Sequence, residues 1–187
     1  MIPTPYRFEA SFTPEDFQKL GQFATRWALI EHTIGNCLRR VLDMSPGHAT
    51  TMIFPLSLDL RMQRIGDVME RYPLTPGQTR LYRELKPLVR AMQYLRTTAL
   101  HGIVIGGESE DDAPFFHLRS KNRNIAKAEL FGCEDLINYA AHVTHAFRLS
   151  LGEKDDPLGH SYALPDRPSI PEFLPNDCRA FPKLDTV

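Results

Sequence analysis

"TPGQTRLYRELKPLVRAMQYLRTTALHG", residues 75–102, is the stretch on which the fold is read. Thr75 is a good N-cap, Pro76 suits the first helical position, and Gln78 stands where a side chain reaches back to the cap. Leu81, Leu85, Leu88, Met92, Leu95 and Ala99 then recur at steps of three and four, which is one buried helical stripe. Pro87 cannot donate its backbone hydrogen bond and predicts a kink. Gly102, just past the last periodic residue, is a stop signal, so the helix is expected from Pro76 to about Leu100. Arg96 and His101 sit at that end. Either they close the helix by capping carbonyls and its negative end, or they are a cationic pair that handles phosphate. Five residues are about 140° of rotation on an ideal helix, so the two converge only if the helix unwinds near Leu100.

Working outward, three more helices are expected. One opens at Thr13-Pro14 with Asp16 in the reach-back position and runs to about Asp43, with Phe17, Leu20, Phe23, Ala24, Trp27, Ile30, Ile34, Leu38 and Val41 inward. Another covers Leu58 to Arg71, with Leu60, Ile65, Val68 and Met69 inward, and a last one runs from about Glu134 to Leu151 on a face of Leu136, Ala140, Val143 and Phe147. Between the third and fourth helices, "IVI", the turn-rich "GGESEDDAP" and "FFHLRSKN" read as two strands of a hairpin. From Gly152 six prolines fall in 36 residues with little periodicity, a tail that is disordered or laid as an extended strap. The expected fold is all-α: an antiparallel four-helix bundle with a small β-hairpin insert over residues 1–151 and a Pro-rich tail over 152–187.

A chain of 187 residues with 42% hydrophobic content is long enough to bury one core. Its net charge of −1 leaves attraction to nucleic acid to local patches. No leader pattern and no run approaching the ~18 apolar residues of a membrane span is visible, which predicts a soluble, cytoplasmic protein. Cys37, Cys133 and Cys178 are odd in number and far apart, which speaks against a disulfide framework or a zinc site. No Walker loop, Rossmann glycine pattern or nucleophile elbow is present, and neither a cofactor nor a metal is expected.

Glu31 falls in the middle of the first helix's stripe. A carboxylate there needs a cation or donors, and either Arg96 or His101 is the partner expected for it. Arg80, Arg83, Lys86 and Arg90 make a basic edge on the third helix with Glu84 the only acid nearby, and Arg119, Lys121, Arg123 and Lys127 follow without an acid among them. These stretches either track a phosphate backbone or are solvated surface, the second partly neutralised by "ESEDD". His142 and His145, one turn apart, are expected to face solvent.

The run Arg96-Thr97-Thr98-Ala99-Leu100-His101 near the end of an amphipathic helix resembles the arginine, four to six residues, histidine motif of the HEPN superfamily, the higher eukaryotes and prokaryotes nucleotide-binding domain. "WALIEHTI", residues 27–34, resembles the tryptophan and glutamate pattern of its small bacterial members, and the likeness spans roughly residues 13 to 151. Thr97 departs from the Asn, Asp or His that commonly follows the arginine. The resemblance implies a dimeric helical bundle and a metal-independent endoribonuclease or RNA-binding protein of a toxin, defence or RNA-processing system. Arg96 and His101 would then be catalytic, Glu31 supporting, and Arg83, Lys86, Arg90, Arg119, Lys121 and Arg123 RNA-binding. The partners it implies are a second copy, RNA and a cognate antitoxin or regulatory protein. The other reading is a non-catalytic dimerising bundle that serves as an interaction or regulatory module.

Overall fold

The computed structural model describes residues 13–72, 74–100 and 134–152, and the backbone alone of 101, 103–105, 115–118 and 123–126. The expected tail at 152–187, Arg119 and Lys121 lie outside the described residues, Gly152 excepted. The core is all-helical: each of its buried residues stands on a helix or at a helix cap. Among the described residues no helix is long and apolar enough to cross a membrane.

Five helices are present among the described residues: α1 (Pro14–Val41), α2 (Pro46–Met52), α3 (Leu58–Arg71), α4 (Pro76–His101) and α5 (Glu134–Ser150). Their starts follow the cap chemistry. Asp16 N–H donates to Thr13 Oγ1 at 3.2 Å and Thr13 N–H donates back to Asp16 Oδ2 at 2.7 Å, so two orphan donors of the first turn are satisfied together. Thr75 and Gln78 repeat this at α4, with Thr75 N–H donating to Gln78 Oε1 at 2.9 Å. Thr13→Ala should therefore cost about 1 kcal/mol, seen as a drop of roughly 2–4 °C in Tm; an unchanged Tm would show that α1 does not depend on its cap.

Helix α2 is a correction, because no helix is expected between Asp43 and Leu58. Ser45 followed by Pro46 is the same start signal as Thr13-Pro14, and Ser45 Oγ accepts from His48 N–H at 3.3 Å. Helix α4 runs through Pro87 and includes His101, one residue beyond the expected end. Where two strands were expected, a three-stranded antiparallel sheet of β1 (Ile103–Ile105), β2 (Phe115–Leu118) and β3 (Arg123–Ala126) stands, in that order. Ile103 faces His117 and Phe116 faces Ile125, and β2 is the strand that lies against α4. Of the stretch read as one strand, Phe115–Leu118 is described and forms β2, and Arg123 opens the third strand.

Helix α5 is the centre of the body, with α1 and α4 both packed on it. Leu136 to Ala141 are all buried, as are Val143, Thr144 and Phe147, so α5 is covered nearly all round where one apolar face was expected. Ala140 and Ala141 let neighbours approach closely, and the Asn138 amide oxygen accepts from the Arg26 guanidinium of α1. His142 and His145 are half-buried instead of solvent-facing, with His145 Nδ1 3.3 Å from the Arg148 guanidinium. Phe17, expected inward, is 56% exposed. On α3 the buried set is Leu58, Met62 and Ile65; Leu60, Val68 and Met69 are only half-covered, because α3 packs chiefly on α1.

Candidate functional site

Between α3 and α4 runs an open groove of about 600 Å³. Its floor is Met62, Tyr82 and Val89, all buried, and the Tyr82 hydroxyl donates to the Met62 carbonyl at 2.6 Å. Gly66 allows this approach: a Cβ there would meet the Tyr82 hydroxyl at 2.9 Å. Helix α3 supplies Asp59, Asp67 and Glu70 to one wall, and α4 supplies Lys86 and Arg90 to the other. Gln93 Nε2 spans the walls to Asp59 Oδ2 at 3.1 Å. The Tyr82 phenol is pushed above its ordinary pKa, first by burial, then by Asp67, with Arg90 opposing and Glu70 adding. Charges from both walls therefore converge on the floor.

This groove corrects the view that Glu84 is the only acid near the basic edge. Glu84 turns the other way, accepting from the Tyr139 hydroxyl of α5, while three α3 carboxylates face the two α4 cations. The signal was in the sequence as polar residues at 59, 63, 67 and 70, one face of a helix, but nothing local says which helix that face meets. Arg83 is exposed just outside the groove.

Arg96 is half-buried on α4. Its position is about 20° around the helix from Val89 and 40° from Met92, at the seam between groove and core. Thr97 lines the same end of the groove, and Thr98 is buried with its hydroxyl donating to the Tyr94 carbonyl at 3.1 Å. Helix α4 does not unwind near Leu100, the condition for Arg96 and His101 to converge within one chain; with His101 inside the helix, positions 96 and 101 stand about 140° apart.

Glu31 is half-buried, and among the described residues its carboxylate pairs with neither Arg96 nor any other cation. Its neighbour is Arg61 of α3, which the sequence reading missed. Arg61 Nη1 donates to the Glu31 carbonyl at 2.9 Å, Nε to Leu56 at 3.0 Å and Nη2 to Phe54 at 2.6 Å, so one guanidinium closes the corner between α1 and the α2–α3 turn. Burial pulls the Arg61 pKa down, and the Glu31 charge opposes that shift. Phe54 lies 5.7 Å below the same guanidinium, stacks on His32 at 5.2 Å, and presses on Gly35, where a Cβ would come within 2.7 Å of the ring. The corner is a clamp for three backbone carbonyls. Among the described residues, the groove is lined by exposed charged groups, Asp59, Glu70, Lys86 and Arg90.

Among the described residues no three His, Cys, Asp or Glu side chains gather into a metal-holding group. Comparison with known proteins finds no matching family model, no matching curated protein and no matching solved structure.

Proposed function

We propose that the chain is a HEPN-like antiparallel four-helix bundle of α1, α3, α4 and α5, carrying a strand insert and an extended tail, which acts on RNA as a homodimer through Arg96 and His101. The observation that supports this reading is the end of α4. The helix continues through a half-buried Arg96 to His101 as its last residue, and β1 begins at Ile103. His101 thus stands at the carboxyl-terminal end of the helix. Metal-independent RNA cleavage needs a base for the ribose 2′-hydroxyl, an acid for the leaving oxygen and a cation for charge on phosphorus. An imidazole titrating near neutrality suits the proton transfers, and the arginine fork suits the phosphate. One chain supplies one histidine, on a different side of the helix from Arg96, so a two-fold mate completes the set. Arg83, Lys86 and Arg90 would extend the phosphate track along α4, and the resemblance gives Arg119, Lys121 and Arg123 the same role.

The test is incubation of the purified protein with mixed RNA in chelator, scored for fragments ending in cyclic phosphate. His101→Ala should lower the cleavage rate by about 10²-fold or more, while Tm and elution volume stay unchanged. Cleavage that persists in the variant, or a variant that fails to fold, assigns the pair to the architecture. A second reading, a dimerising interaction module without catalysis, is favoured by the mixed charge of the groove: three carboxylates repel a polyanion but suit a polypeptide carrying both signs. A stable dimer that leaves RNA intact supports that reading.

A further inference from the structure

The groove between α3 and α4 fits one occupant on this same chain, and we propose that residues 165–175, "PDRPSIPEFLP", dock there in cis as a polyproline II segment. The root of the tail is already at the mouth of the groove. Gln78 Nε2, in the first turn of α4, donates to the Ser150 carbonyl at 2.6 Å, Leu151 packs against the core, and Tyr82 of the groove floor is one helical turn from Gln78. Twelve residues separate Gly152 from Pro165; extended, they span about 37 Å, against about 22 Å for the groove from Tyr82 to Thr97.

The chemistry of the segment matches the walls. Polyproline II turns once every three residues. Pro165, Pro168 and Pro171 therefore share one edge, Asp166, Ser169 and Glu172 a second, and Arg167, Ile170 and Phe173 a third. The acidic edge suits Lys86 and Arg90 of α4, and Arg167 suits Asp67 and Glu70 of α3. The proline edge suits the floor between Tyr82 and Tyr94, as proline-rich segments use aromatic-lined grooves elsewhere. The ring constraint on each proline reduces the ordering entropy lost on docking. This inference depends on neither reading of the α4 terminus.

Limited chymotrypsin digestion of the full chain, followed as cleavage after Phe173, tests it. The double variant Lys86→Glu/Arg90→Glu should speed cleavage about tenfold over the unaltered chain, and Asp166→Lys/Glu172→Lys, which leaves the helical body untouched, should do the same. Combining the four changes restores the opposite pairing and should return the rate towards that of the unaltered chain. Equal rates in all four proteins would overturn the proposal, as would a combined variant faster than either parent. Protection that disappears on dilution places the segment on a second copy and overturns docking in cis.

Discussion

Replacing Arg61 with alanine should lower stability by about 3 kcal/mol, a drop of roughly 6–12 °C in Tm for a chain of this size. The side chain is more than a spacer between α1 and α3. Its three nitrogens satisfy the carbonyls of Glu31, Leu56 and Phe54, and its charge rests over the Phe54 ring. Alanine removes all four contacts and leaves part-buried carbonyls to find water. Lysine keeps the charge but cannot fork to three acceptors, so Arg61→Lys should recover less than half of the loss. Glu31→Gln is the informative control. Because the Glu31 main-chain carbonyl, not its carboxylate, makes the bond, that change should shift Tm by about a degree or less, the scale of one weakly coupled surface charge. A Glu31→Gln variant as unstable as Arg61→Ala would mean that the carboxylate is the true anchor.

Phe147→Ala should be more damaging still, at about 3–5 kcal/mol. Phe147 is fully buried on α5 and its ring lies 6.1 Å from that of Tyr82, tilted by 45°. The cavity would open where α5 meets α4, directly behind the groove floor. Equilibrium denaturation measures the loss, and a cost below about 1 kcal/mol would mean that the site collapses without strain, against the packing described above. Because Tyr82 links the two regions, the same variant should also loosen the groove, which chymotrypsin cleavage after Phe173 reads separately.

The candidate site was legible only in part. The Arg96 and His101 spacing stands out because α4 has one stripe, one stop and an arginine and a histidine at its end. The groove does not stand out, since it has no motif. It exists because α3 meets α1 with Leu58, Met62 and Ile65 and leaves its polar face opposite Lys86 and Arg90, residues about twenty positions away along the chain. Glu31 illustrates the same limit. Counting 100° steps placed it in a stripe, but whether a stripe position is buried depends on what packs there, and α3 brought Arg61 to its carbonyl.

What the sequence by itself determined about this protein is therefore local. Thr13-Pro14, Ser45-Pro46 and Thr75-Pro76 start helices through hydrogen bonds spanning three residues, and apolar steps of three and four choose the inward face of α1 and α4. These are short-range effects, in which each residue type carries its own consequence. Tertiary structure alone decided that α5 is enclosed by α1 and α4 instead of lying on one side of the body. It also decided that Glu84 pairs with Tyr139 and leaves the basic edge, that Arg61 closes the corner at Phe54, and that α3 and α4 leave a groove between them. The physical reason is that a helix face is written in the chain, whereas its partner is selected by the packing of every other face at once.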